Sequence, residues 1–244
     1  MIRYIEEDAI ISPQKVELNA DVAVTTFSTH LMDLLLDKTQ AKKETHLPGG
    51  VEIDVYIFEH NGKRIAVYQT PVGAPAAVGA MEEIYASGVK HIIAFGICGA
   101  LIDTPVHTLI VPTRAYRDEG TSYHYSPVTD FVEVKNGAIA AEAVKAVGAN
   151  ALSGYVWTTD GFYRETRTRM NEMKDNGCIC VDMECSALQT VADYRGKQFY
   201  TFFITADSLA GDAWEPNDIL RSEITDPKSA AVCAAVGLAH KLAK

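Results

Sequence analysis

The sequence has 244 residues, of which 48% are hydrophobic and 22% are charged, an ordinary balance for a globular chain that suits one large α/β domain over residues 1–244. The formal net charge of −10 argues against a broad nucleic-acid-binding surface, because phosphate backbones repel negative charge. No apolar run approaches the roughly 20 residues that span a bilayer, and the charged N-terminus lacks a signal-peptide core, so we expect a cytoplasmic protein with no membrane partner.

Short apolar runs alternate with helical patterns along the chain, without repeats or low-complexity linkers. Strands are predicted at 21–27, 51–59, 63–70, 90–95, 109–112, 153–158, 178–181 and 198–205. Helices are predicted at 29–37, 75–87, 138–147, 164–176, 184–194 and 228–243. This alternation predicts a three-layer α/β/α sandwich with a mixed central sheet, in which a ligand binds at the carboxyl ends of the strands.

The five cysteines are an odd number, and reduced thiols are the expectation for a cytoplasmic chain. A strand would place Cys178 and Cys180 on one face, an arrangement that a metal can use. No His or Cys set at zinc-like spacing accompanies them, so we expect core cysteines, no metal and no cofactor.

Two acidic residues flank a methionine at a predicted helix start, in Val181-Asp182-Met183-Glu184. Acids at a helix N-terminus stabilise the helix by about 0.3–1 kcal/mol, and Asp182 fits that role. Glu184 is followed by small residues that leave room for a cavity, and a carboxylate suits the vicinal hydroxyl groups of a ribose. By spacing alone, helix capping is the more common role for such a residue.

Three further segments follow predicted strands, and each has two interpretations. Gly96-Ile97-Cys98-Gly99 either brings backbone N–H groups close to a ligand or forms a simple turn. Asp207 is either a loop cap or a proton donor whose pKa is raised by burial. Phe162 either packs in the core or stacks on a flat base.

The order of these motifs resembles the nucleoside phosphorylase superfamily, which includes purine nucleoside phosphorylase, uridine phosphorylase and methylthioadenosine/S-adenosylhomocysteine nucleosidase. The resemblance runs from about Asp21 to about Asp207. The matching segments are Asn61-Gly62-Lys63, Thr70 to Pro75, Gly96 to Ala100, Phe162-Tyr163, Val181 to Glu184 and Ala206 to Ser208. Several such segments in one order are far more specific than any one of them.

The resemblance implies a role for each matching residue. Met183 and Glu184 would hold the ribose, and Phe162 would stack on the base. Asp207 would protonate N7 of the leaving purine, and a good general acid contributes about 10²–10⁴-fold to the rate. Substrate contacts are also implied for neighbouring positions in these motifs, Val181, Cys98, Gly99 and Ser208.

The motifs give conflicting indications about the base of the substrate. Asp207 and the short stretch from Phe162 to Glu184 favour a purine, because uridine phosphorylases lack this acid and carry an insertion in that stretch. The segment from Arg117 to Tyr125 looks more like the uridine branch. We expect a purine nucleoside as the substrate. Arg221 is our candidate to orient Asp207, although a solvated surface charge is the more common role.

The motifs that bind phosphate in the phosphorolytic relatives are changed in this chain. Those relatives carry two arginines and a Ser or Thr, and this chain has other residues at all three positions. Thr25 to His30 contains no Arg, and Ala94 and Ile97 stand at the other two positions. This loss weakens phosphate binding by several kcal/mol, at about 1.5–3 kcal/mol per charged hydrogen bond. The remaining candidates for phosphate contact are Gly96, Ile97 and Thr26, with Lys42, Lys43, Arg64 or His30 as substitutes.

The expected function is cleavage of a nucleoside N-glycosidic bond, with inorganic phosphate as co-substrate. The alternatives are a phosphate-independent nucleosidase that uses water, a nucleoside-binding sensor without activity, and an α/β enzyme of another class. The resemblance also implies a homo-oligomer, either a dimer, a trimer or a hexamer, in which a neighbour completes the site. The usual neighbour-supplied histidine near the N-terminus has no match here, and Tyr4 is the nearest candidate.

Overall fold

The computed structural model describes residues 4–49, 52–149, 151–217 and 226–243, which form ten strands and six α-helices. The strands are β1 (Val22–Thr26), β2 (Lys42–Leu47), β3 (Ile53–His60), β4 (Lys63–Gln69), β5 (His91–Ala100), β6 (Leu109–Asp118), β7 (Phe131–Glu133), β8 (Ala151–Thr159), β9 (Cys178–Asp182) and β10 (Gln198–Ser208). The helices are α1 (Thr29–Thr39), α2 (Ala74–Ala86), α3 (Gly137–Ala146), α4 (Arg167–Asp175), α5 (Cys185–Tyr194) and α6 (Asp226–Leu242). Single 3-10 turns lie at Ser122–His124 and Phe162–Arg164.

All ten strands belong to one mixed sheet, whose path runs β2-β3-β4-β1-β5-β9-β8-β6-β10. β10 also pairs with β5, so the last five strands of this path close into a ring, and β7 pairs with β6 outside it. β1 lies parallel to both β4 and β5 at the centre. Every residue of β1 is buried, as expected for a strand covered on both faces.

Helices cover both faces of the sheet, and each face has its own apolar core. α2 and α5 pack on one face, where Met81, Ile84 and Leu188 are buried. α1, α3 and α6 pack on the other, where Leu35 and Val232 are buried. The predicted three-layer α/β/α architecture is confirmed, and the ring of five strands is an addition to it. No helix in the described ranges combines the length and the apolar character needed to cross a bilayer.

The sequence missed β2 and β7, and it placed the ends of three strands too early. Most side chains of β2 are exposed, so this edge strand has no apolar alternation to detect, and β7 has only three residues. β5, β6 and β10 each continue beyond their predicted ends. The glycine motif from Gly96 to Gly99 and the acid Asp207 therefore lie within strands, whereas the sequence placed them after strands.

Candidate active site

Three strands converge at Gly99. Within β5, Gly99 pairs with Val181 of β9 on one side and with Asp207 of β10 on the other. A β carbon at Gly99 would lie 2.9 Å from Val181 Cγ1 and 3.3 Å from Asp207 Oδ1. Since contacts this short force a neighbour to move, glycine is required for Val181 and Asp207 to lie this close together.

An irregularity in β10 sets the direction of Asp207. Thr205 pairs with Cys98 and Asp207 pairs with Gly99, so Ala206 is an extra residue in β10. Such bulges commonly redirect a side chain next to a functional site. Asp207 is only 4% exposed, and its Oδ2 accepts a hydrogen bond from Trp214 Nε1 at 2.7 Å.

A cavity of about 340 Å³ opens beside these strand ends, within the size range of small-molecule sites. Its lining residues are Phe27, Ser28, Val72, Ile97, Cys98, Gly99, Phe162, Glu165, Val181, Asp182, Met183, Glu184 and Asp207. Eight of them are candidates named from the sequence, and the cavity brings all eight together. A larger cavity of about 530 Å³ near residues 104–109 contains none of the predicted site residues.

Four sequence candidates are not part of this lining. Gly96 and Thr26 lie beside the cavity, in strands β5 and β1, and Ser208 follows Asp207 at the end of β10. Ser208 Oγ accepts a hydrogen bond from the Ala210 amide at 3.2 Å, which fixes the start of the following loop. Arg221 lies outside the described residues.

Asp182 caps helix α5, as predicted. Its Oδ2 accepts hydrogen bonds from the amides of Glu184 at 3.1 Å and Cys185 at 2.7 Å, while its Oδ1 accepts one from Thr158 Oγ1 at 2.7 Å. The side chain of Glu184 makes no capping bond. Of the two acids at this helix start, Asp182 therefore stabilises the helix, and the carboxyl group of Glu184 is directed to a different partner.

The partner of Glu184 is the backbone of Gly73. The Gly73 amide donates to Glu184 Oε1 at 2.6 Å. Gly73 has φ of 99°, a conformation that residues with a side chain rarely adopt, so the position favours glycine. Burial and the nearby charge of Asp182 raise the pKa of Glu184 to about 8. At neutral pH the Glu184 carboxyl group is therefore mostly protonated.

Glu165 is a cavity residue that the sequence did not identify. It directly follows the 3-10 turn Phe162–Arg164, inside the stretch predicted as helix 164–176, where a carboxylate looks like one more polar helix residue. Burial and the charge of Asp207 raise the pKa of Glu165 to about 7. The site thus holds two neighbouring carboxyl groups, Glu165 and Asp207, beside the Phe162 ring.

The expected phosphate side of the cavity has an apolar wall made by Phe27, Val72 and Ile97. The Phe27 ring covers Gly96 so closely that a β carbon there would lie 2.8 Å from Phe27 Cδ2. No Lys, Arg or His is among the described residues that line this cavity. Phe27 was not identified from the sequence as a wall residue, because it was predicted to be the last residue of a buried strand, whereas β1 ends at Thr26.

The substitute candidates for phosphate lie elsewhere. Lys43 pairs with Asp54 at 2.7 Å, and Arg64 pairs with Glu44. Lys42 and His30 are exposed, on β2 and α1, and none of the four lines the cavity.

The cysteines lie in the positions expected for core thiols. Cys178 and Cys180 lie on β9 and are buried, as predicted, and all five thiols are free. Within the described ranges, no group of three or more His, Cys, Asp or Glu side chains is arranged to hold a metal ion.

Comparison with known proteins agrees with this geometry. A family model described as the phosphorylase superfamily matches residues 21–242. The chain belongs to the phosphorylase superfamily. Relatives within this superfamily include proteins named purine nucleoside phosphorylase DeoD-type from Bacillus cereus and Bacillus thuringiensis, each 31% identical over 155 residues. The match covers 62% of this chain and 66% of each relative's length. The family inferred from the ordered motifs is confirmed.

Glu184→Gln tests the protonation of the buried carboxyl group in this phosphorylase-superfamily chain. Folding raises the pKa of Glu184 from 4.5 to about 8, so its protonation stabilises the native state fully below about pH 4.5. That contribution is lost as the pH rises through 8. Between pH 5 and pH 9, the Tm of the wild-type protein should therefore fall more steeply than that of Glu184→Gln, as measured by calorimetry.

The matched control is Glu142→Gln, which removes an exposed carboxylate on α3. Its Tm curve should run parallel to that of the wild-type protein. A Glu184→Gln curve that is also parallel would show that Glu184 ionises normally in the folded protein.

Proposed function

We propose that this chain cleaves the N-glycosidic bond of a purine nucleoside with phosphate as the acceptor, releasing the base and ribose 1-phosphate. The observation that carries the proposal is one nucleoside-sized cavity lined by Glu184, Met183, Phe162 and Asp207. The similarity to relatives named purine nucleoside phosphorylase supports phosphorolysis of purine nucleosides. The homo-oligomer and the cytoplasmic location stay predictions.

Glu184 is the proposed ribose ligand. Its Oε1 accepts the Gly73 amide, and a carboxylate retains further lone pairs that can accept the 2′ and 3′ hydroxyl groups. These hydroxyls donate to the ionised form, so binding replaces the proton that burial retains in the free protein. The resulting negative charge favours the positive ribosyl group of the transition state.

Asp207 is the proposed general acid. Protonation of the purine N7 by Asp207 lets the base leave as a neutral molecule. Glu165 supports this role, because two neighbouring carboxyl groups in a partly buried cavity resist double ionisation and retain a proton between them. Phe162, which is 38% exposed at the cavity, offers the face on which the base stacks.

The segment from Arg117 to Tyr125 resembles uridine phosphorylases, yet its charged side chains are held in hydrogen bonds within the protein. Arg117 is 3% exposed and donates to Ser122 Oγ at 2.9 Å. Glu119 accepts the amides of Thr121 at 2.6 Å and Ser122 at 2.9 Å. No residue of this segment lines the cavity, so its sequence carries little weight for the base, and Asp207 favours a purine.

Hydrolysis is the second candidate, and the apolar wall of Phe27, Val72 and Ile97 favours it. Four carboxyl side chains line the cavity, and the described lining offers no cation to offset them. The carboxyl groups that remain ionised repel phosphate, whereas water is neutral. A sensor that has lost catalysis is less well supported, because leaving-group chemistry requires an acid at Asp207 more than binding does.

The test is base release from a panel of purine and pyrimidine nucleosides, with and without phosphate. We expect purine release that requires phosphate. Release that is independent of phosphate would establish the hydrolytic candidate, and release from none of the nucleosides would reject enzymatic cleavage.

Glu184→Ala, with an unchanged circular dichroism spectrum, should lower kcat/KM by roughly 100-fold, because it removes charge stabilisation of the transition state.

Asp207→Asn tests the general acid. The variant cannot donate a proton, so purine nucleoside cleavage should fall by about 10²–10⁴-fold. Cleavage of a nitrophenyl riboside should change little, because its leaving group departs as a stable anion. Asp212→Asn, which alters an exposed acid in the next loop, should behave as the wild-type protein. Equal losses on the two substrates would contradict the acid role.

A further inference from the structure

The loop after β10 brings an indole N–H to Asp207. Trp214 Nε1 donates to Asp207 Oδ2 at 2.7 Å. Trp214 is 49% exposed and is not among the residues that line the cavity. Trp214 therefore contacts Asp207 Oδ2 from outside the cavity. The other carboxyl oxygen, Asp207 Oδ1, lies near Gly99, which lines the cavity.

Backbone hydrogen bonds close this loop onto the strand that carries Asp207. Ser208 and Glu215 exchange two amide-to-carbonyl bonds, each 2.9 Å long. The Leu209 amide donates to the Ala100 carbonyl of β5 at 2.8 Å. These bonds fix both ends of the loop beside Asp207, and Trp214 directly precedes the closing residue, Glu215.

Arg167 of α4 holds the tip of the same loop. Its Nη1 donates to the Gly211 carbonyl at 2.6 Å and to the Leu209 carbonyl at 3.3 Å, and its Nη2 donates to the Asp212 carbonyl at 2.8 Å. A planar guanidinium that meets three carbonyls in one loop restricts the loop to one geometry. α4 therefore supports the segment that carries Trp214.

We propose that Trp214 is a positioning residue for Asp207, and that Arg167 acts through it by holding the loop. The indole N–H fixes Oδ2 and thereby the rotation of the carboxyl group, so that Oδ1 carries the proton to the base. Orientation of this kind lowers the barrier because the donor already lies in a reactive geometry. The catalytic part of this inference rests on the proposed function, whereas the Trp214–Asp207 contact does not.

The hydrogen bond also affects protonation. An N–H donor favours the ionised form of a carboxyl group, while burial and neighbouring acids favour the protonated form. The acids that share the cavity with Asp207 are Glu165, Glu184 and Asp182. Removing the Trp214 N–H therefore shifts the balance at Asp207 toward protonation, and the alkaline limb of kcat/KM moves to higher pH.

Trp214→Phe keeps an aromatic ring and removes the N–H. We expect kcat/KM for a purine nucleoside to fall by about 10-fold or more and the alkaline limb to move to higher pH, with little loss on a nitrophenyl riboside. The matched control is Trp157→Phe, since Trp157 Nε1 donates to Asp118 Oδ2 at 2.8 Å and neither residue lines the cavity. This control should lower Tm but leave the pH profile and the substrate ratio unchanged. Equal losses of Trp214→Phe on both substrates, or an unmoved limb, would overturn the catalytic part.

A fluorescence titration tests the contact without activity. Because Trp157 also donates to a carboxylate, the titration uses the Trp157→Phe variant, in which Trp214 is the remaining one of the two tryptophans. Its emission should change as Asp207 titrates, and this change should vanish when Asp207→Asn is added. Arg167→Met should weaken it, because the loop loses its support. If the protein cleaves no nucleoside, the proposed function fails, but this titration still decides the contact. A change that persists after Asp207→Asn in the Trp157→Phe variant, or is absent from Trp157→Phe itself, would overturn the contact.

Discussion

The close approach of three strands at Gly99 is the constraint on which the site depends. A side chain there would press on Val181 and Asp207, which lie on opposite sides of β5. Val181 lies three residues before Glu184, so the packing at Gly99 sets the distance between the proposed ribose ligand and the proposed acid. The bulge at Ala206 in β10 has a related effect, because it brings Asp207 into register with Gly99.

The two acids at the start of α5, Asp182 and Glu184, have different roles. Because Asp182 caps the helix, the buried carboxyl group of Glu184 is available for a ligand. Asp182 satisfies the helix amides, and the Gly73 amide positions Glu184 in the cavity. Burial raises the pKa of Glu184, and in the proposed complex the ribose hydroxyl groups replace its proton, so the proposal couples nucleoside binding to ionisation. Burial and the charge of Asp207 raise the pKa of Glu165, which favours a retained proton in this part of the cavity. The proposed site thus pairs a carboxyl group that ionises when the ligand binds with a pair of acids that shares a proton.

Most of the strands, helices and cavity residues could be predicted from the sequence, and the ones that were missed have a physical reason. Regular apolar periods revealed the central strands and the helices, whereas β2 was missed because its exposed edge carries polar side chains. The ordered motifs predicted Glu184, Phe162 and Asp207 as site residues, because these residue types follow the motif order of the superfamily, and all three line one cavity. Glu165 and Trp214 follow no such pattern. Each reaches the site through a turn or loop, whose course depends on contacts between distant segments, such as those of Arg167.

The central claim is that a purine nucleoside lies with its ribose at Glu184 and its base beside Asp207. A crystal structure with a purine C-nucleoside tests this most directly, because its glycosidic carbon–carbon bond cannot be cleaved. We predict both ribose hydroxyl groups on Glu184, the base against Phe162, and the nitrogen equivalent to N7 within hydrogen-bond reach of Asp207. A ligand bound outside this cavity, or one with its base at Glu184 and its ribose at Asp207, would contradict the account.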